Sequence, residues 1–242
     1  LLHVAFYVET KAKLNDIAAI LPVKRLREIV AVAESSGLWS EALSLMGHIE
    51  GAQQRRIADL AAEQDDIALT RMLRTAQEQK LWDVLLPIIA AMSKDRRERL
   101  VKLPALAEVP VLTAIVQAAD AGGLWPQFLP LVTQMTEPAR RAAAQCVEQL
   151  DAGVLQNLLA AVQGADLWDE LLEMLGPMDK AERSNIARLI GQQDDAMLTQ
   201  LLKTTHQRGL WPKLMPLLAA MPKEQIERLR LMALKLKLDW PI

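Results

Sequence analysis

A chain of 242 residues, 51% hydrophobic and 24% charged, carries ample apolar material for a large core and no low-complexity tract, so it is expected to fold throughout. Its 28 basic residues against 30 acidic ones leave a formal net charge of −2, which offers no global field to gather phosphate and argues against a nucleic-acid partner. The single Cys146 allows no internal disulfide and no apolar run is long enough to span a bilayer, so the expectation is a cytoplasmic location without membrane insertion.

The opening stretch Leu1 to Val8 has neither the basic leader nor the cleavage pattern of a signal peptide. A first residue that is Leu rather than Met is read as a piece of a longer product or one that has lost its leader. A two-residue word organises the chain: Leu-Trp recurs with its tryptophan at Trp39, Trp82, Trp125, Trp168 and Trp211, always 43 residues apart. A period without insertions is the mark of one structural unit stacked on copies of itself. The expected fold is therefore all-α, a right-handed alpha-alpha superhelix (solenoid) of 43-residue repeats with about three helical segments each. Residues 1–38 form a partial repeat, 39–81, 82–124, 125–167 and 168–210 four full ones, and 211–242 a C-terminal capping repeat.

Within a repeat, the first segment starts at Trp and places apolar residues at offsets 0, 3, 4, 7 and 10, one face of a helix. Ser40, Asp83 and Asp169 are its candidate caps, and Pro126 and Pro212 suit its first turn. Pro87, Pro130 and Pro216 predict that this helix is kinked or starts late. Ser93, Thr136, Asp179 and Pro222 open the second helix, whose stripe includes Ile57, Leu100, Ala143, Ile186 and Leu229, then Leu60, Leu103, Cys146, Leu189 and Met232. Pro104 and Pro110 mark the least regular stretch. Asp65, Glu108, Asp151 and Asp194 cap the third helix, and Gly37, Gly123 and Gly209 stop it. In the partial repeat, Leu1 to Phe6 stand for the first helix, Leu14 and Ile17 for the second, and Leu26, Ile29 and Val30 for the third. Lys235 to Ile242, with Trp240, are expected to fold over the last helices as a cap.

No catalytic constellation, phosphate loop or cofactor motif emerges, so the chain is expected to be neither an enzyme nor a cofactor binder. His3, His48 and His206 lie in different repeats without partners at metal-ligand spacing. The pairs Asp65-Asp66 and Asp194-Asp195 could take a hard cation but are read as helix caps, since other repeats dispense with them. Arg55-Arg56, Arg96-Arg97, Arg140-Arg141 and Arg183 are read as the solvated face of the second helix, paired with Glu98, Glu148 and Glu182, and the tryptophans as core.

Three helical segments in 43 residues resemble the armadillo and HEAT class of α-solenoids over essentially the whole chain. A looser similarity, in Leu175-Gly176-Pro177-Met178-Asp179-Lys180-Ala181-Glu182-Arg183, is to the helical N-terminal domain of MgtE-type magnesium transporters. The first resemblance implies a non-catalytic scaffold that binds a protein or peptide, with the third helices on the concave side. Their polar positions Arg71, Arg74, Gln117, Asn157, Gln200, Lys203 and His206 are the candidate binding stripe. The alternatives are a ligand- or cation-sensing regulatory domain of a larger protein, or an enzyme with a pocket in the groove. A polar cluster that breaks the repeat in one unit would favour these.

Overall fold

The computed structural model describes residues 22–49 and 51–240. Among them there is no strand: the structure is α-helix throughout, apart from turns and one 3-10 segment. The chain divides into two compact units, Leu1–Ala118 and Ala119–Ile242. In the first lie α1 (Val23–Ser35), α2 (Trp39–Met46), α3 (Gly51–Ala61), α4 (Asp66–Glu78), α5 (Trp82–Ala91), α6 (Lys94–Val101) and the 3-10 segment Pro104–Ala107. The division falls within α7 (Val109–Ala121). The second contains α8 (Trp125–Val132), α9 (Glu137–Glu148), α10 (Ala152–Ala165), α11 (Trp168–Leu175), α12 (Lys180–Gly191), α13 (Asp195–Arg208), α14 (Trp211–Leu218) and α15 (Lys223–Lys235).

Five helices, α2, α5, α8, α11 and α14, begin at the five recurring tryptophans. The leucine before each is both the end of one helix and the start of the next. Leu38, Leu81, Leu124, Leu167 and Leu210 donate their N–H to Ala33, Ala76, Ala119, Val162 and Thr205, across a residue with positive φ. This bond closes a helix whose last carbonyls have no partner of their own. The left-handed residue is Gly37, Gly123 or Gly209 where expected, at φ of 68°, 63° and 67°, but Lys80 and Asp166 take it at 56° and 54° in the other two repeats. The same leucine is the N-cap of the helix that follows, without any side-chain cap. Ser40, Asp83 and Asp169 therefore do not cap: they sit inside the first turn, where the two aspartates face the positive end of the dipole.

The prolines do not delay these helices. Pro87, Pro130 and Pro216 lie inside helices that start at Trp, each removing one backbone bond from an element whose neighbours bury it. At the second helices, Ser93 and Thr136 occupy the N-cap without side-chain bonds, whereas Asp179 and Glu182 form a reciprocal capping box. Asp65, Asp151 and Asp194 cap the third helices by accepting from Ala68, Val154 and Met197 at 2.8, 3.0 and 2.8 Å. Pro104 opens the 3-10 segment after an α6 of only eight residues, the irregular stretch anticipated.

Packing follows one rule in both units. In the first, α2 lies against α4 and α5; in the second, α8 lies against α10 and α11, and α11 against α13 and α14. The Trp-initiated helices α2, α8 and α11 thus pack on the third helix of their own repeat and on the next Trp-initiated helix. Trp39, Trp82, Trp125 and Trp168 are buried in this way, while Trp211, expected to be buried too, is only half-buried. Its ring meets Trp240 edge to face, centroids 5.7 Å apart at 75°, the contact a terminal cap would make. Cys146 is buried in the core. The expectations for Leu1 to Phe6, Leu14, Ile17, His3 and Ile242 lie outside the described residues.

Candidate functional site

The candidate stripe on the third helices splits into residues already engaged and residues turned to solvent. Arg71 forms an ion pair with Glu34, Asn157 Nδ2 donates to Asp120 Oδ1 at 3.0 Å, and Gln200 Nε2 donates to the Gln163 carbonyl at 3.0 Å. These three occupy equivalent positions and each reaches 37 residues back, to the third helix before it. They fasten neighbouring repeats together. Arg74, Gln117, Lys203 and His206 are exposed. Arg71, Arg74 and Gln117 belong to the first unit and Asn157, Gln200, Lys203 and His206 to the second.

Many of the second-helix arginines are also spent on the repeat, though on partners other than Glu98, Glu148 and Glu182. Arg96 binds the Asp59 carbonyl and Glu63, Arg97 the Ala90 carbonyl, Arg183 the Met178 carbonyl, and Arg140 pairs with Glu173. The paired acids have their own explanation. Asp65 and Asp194 cap, while Asp66 and Asp195 bind Arg99 at 2.6 Å and Arg228 at 2.5 Å, 33 residues on. At the corresponding sequence positions, 33 residues apart, the chain has Val109 and Ala142, then Ala152 and Asn185, so acid and arginine are lost together. Among the described residues no three metal-ligating side chains converge.

One polar cluster does break the repeat. Where other repeats have Pro87, Pro130 and Pro216, α11 has Glu173, which accepts from Lys213 at 2.8 Å and pairs with Arg140. Lys213 also holds Asp169 at 2.7 Å. The hydrogen bond from Lys213 keeps the Glu173 carboxyl below the ordinary carboxylate range, aided by both positive charges, and the bonds to Asp169 and Glu173 raise the Lys213 ammonium. The cluster borders a shallow cavity of about 340 Å³ lined by Pro177, Pro212 and Pro216. Its charges satisfy one another across α9, α11 and α14, which makes it a clasp between helices and leaves no group poised for proton transfer.

One exposed surface is apolar. A groove of about 440 Å³ runs between α1 and α2, lined by Ile29, Val32, Ala33, Leu38, Ala42 and Leu45 with Arg25, Glu28 and Glu41 at its edge. Ile29, Val32 and Leu38 are 42%, 53% and 42% exposed, whereas the residues equivalent to Ile29, which are Met72, Ile115, Leu158 and Leu201, are at most 1% exposed. Sequence reasoning places Ile29 on the inner face of a third helix and misses its exposure. The available signal is Ala42, small where other repeats have Leu85, Phe128, Leu171 and Leu214. Compared with known protein families, curated proteins and solved structures, the chain matches none of them.

Proposed function

We propose that the chain is a non-catalytic protein-interaction scaffold, a HEAT/armadillo-like α-solenoid of 43-residue repeats, that receives a short amphipathic helix in the groove between α1 and α2. The observation that carries this is the exposure of Ile29 at a position buried in every later repeat. Over equivalent ground α2 packs on α4 and α5, α8 on α10 and α11, and α11 on α13 and α14. A groove of that shape, with apolar walls, fits a helix bearing residues at i, i+3, i+4 and i+7. The exposed Arg74 and Gln117 in the first unit, and Lys203 and His206 in the second, are secondary contact residues, each pair within its own unit. The cation-sensing and enzymatic alternatives gain nothing from the Glu173 cluster, whose charges are mutually paired.

The test uses the chain's own template. A fluorescent peptide of residues 167–178, the sequence of α11 with its flanks, should bind the whole protein by anisotropy, and Val32→Lys should weaken it at least tenfold. Val32 is exposed, so the variant should fold. No binding, or equal binding to the variant, would remove the groove as the site.

A further inference from the structure

The cavity of about 340 Å³ beside the Glu173 clasp is lined by residues of α9, α11, α14 and the turn after α11, and lies wholly within the second unit. Leu172, Pro177, Pro212 and Pro216 give it an apolar wall, and its three proline rings have no N–H to donate. Glu137, Arg140, Glu173 and Lys213 stand around that wall. With Asp169, the second carboxylate held by Lys213, the charged groups are three carboxylates against two cations. One negative charge is left over.

That charge belongs to Glu137. The clasp joins Arg140, Glu173, Lys213 and Asp169, whereas Glu137 is exposed, and among the described residues no hydrogen bond or ion pair engages its side chain. Glu137 opens α9 at the position where α6, α12 and α15 open on Lys94, Lys180 and Lys223. A lysine there would repel a cation entering the cavity; the glutamate attracts one.

An apolar wall with an excess carboxylate at its edge suits a long aliphatic stem ending in one positive charge, because such a side chain lays its methylenes on apolar surface and keeps its charge among acceptors. Lysine fits better than arginine. Both oxygens of Glu173 already accept, one from Arg140 and one from Lys213, so no free pair remains there for a planar guanidinium fork, whereas a compact ammonium takes one remaining lone pair of Glu173 and one oxygen of Glu137. We propose that this cavity docks a lysine side chain of a partner protein, its stem against the proline rings and its ammonium between Glu137 and Glu173. The clasp prepares the site, since Lys213 and Arg140 keep Glu173 ionised and hold it in place. The cavity shares no residue with the α1/α2 groove, so the two sites stand or fall separately.

The probe is the peptide acetyl-Gly-Lys-Gly-amide, titrated into the isotope-labelled protein and followed by NMR. It should shift the backbone amides of Glu137, Gly176 and Lys213 saturably and leave distant amides in place. The norleucine analogue, which keeps the stem and lacks the charge, should bind about fivefold more weakly, the upper range for an exposed ion pair. Glu137→Lys installs the residue that α6, α12 and α15 carry at an exposed position, so it should fold as the wild type does, and it should weaken the lysine peptide by about fivefold. Should its distant amides move, Glu137→Gln takes its place. Glu224→Lys makes the same charge change at an exposed site on α15 and should leave binding unchanged. Absence of a saturable shift, equal binding of the norleucine peptide, or equal losses in the Glu137 and Glu224 variants would overturn the proposal.

Discussion

Trp82 and Trp168 hold equivalent places in the repeat and differ by one hydrogen bond. The Trp82 indole donates to Gln77 Oε1 at 2.8 Å, and Trp39 donates to Glu34 in the same way, from the residue five positions earlier. The Trp125 and Trp168 ring nitrogens are buried without a partner. At Trp125 the residue five earlier is Asp120, shorter by a methylene and engaged with Asn157; at Trp168 it is Gln163, whose backbone carbonyl serves Gln200 and whose side chain does not reach the indole N–H. Leaving a buried donor unpaired costs about 1–3 kcal/mol. Gln77→Ala should therefore lower stability by about 1–2 kcal/mol in urea unfolding, while Gln163→Ala, which orphans nothing new at the ring, should stay within about 0.5 kcal/mol. Trp125→Ala should cost about 3–5 kcal/mol, as truncation of a fully buried aromatic does, and Trp211→Ala distinctly less. Equal losses at the two tryptophans would mean that the α14 face is closed.

At the level of the element, the sequence reveals the helices far better than their joints. The 43-residue spacing and the offsets from Trp locate all five Trp-initiated helices, because burial imposes its period on composition. The leucine's double duty as closing and opening residue is hidden, since its N–H bond to the helix behind it uses backbone atoms that any residue other than proline possesses. Ser40 and Asp83 read as caps because propensity marks them, but the turn places them two residues past the N-caps Leu38 and Leu81. Cross-repeat bonds of 33 and 37 residues are legible only as paired losses, Asp66 with Arg99 against Ala152 with Asn185. Installing Ala152→Asp and Asn185→Arg together should show a coupling of about 0.2–1 kcal/mol in a double-mutant cycle, the range for exposed pairs. The Glu173 clasp has a pH signature. Its folded carboxyl is held low, so its contribution is full above the unfolded value of about 4.3 and is lost as pH falls through the folded value. Lys213, raised, contributes fully below about 10.4 and fails as pH rises through its folded value. The stability gap between wild type and Glu173→Gln should be flat from about pH 5 to 9 and shrink below about pH 4; a gap constant down to about pH 2 would dissociate Glu173 from the clasp.

For the molecule as a whole, charge decides which partners are attracted from a distance. The net charge is −2, and several of the arginines that might have formed a basic strip are committed to acids and carbonyls within the chain: Arg71, Arg96, Arg99, Arg140, Arg208 and Arg228 all have partners on other helices or turns. A phosphate backbone would have to strip these arginines from their partners before using them, which loosens the repeats it binds. Affinity for nucleic acid comes from releasing counterions by many lysine and arginine contacts, and falls steeply with salt in proportion to their number. Random-sequence DNA or RNA should accordingly bind weakly in fluorescence anisotropy, with a slope against log salt equivalent to about one or two phosphate contacts. The apolar groove gives the opposite signature, since binding of the 167–178 peptide removes apolar surface from water and should persist or strengthen as salt rises. Tight nucleic-acid binding that collapses between low and moderate salt would show that the second-helix arginines leave their partners on contact, and would overturn the proposed scaffold function.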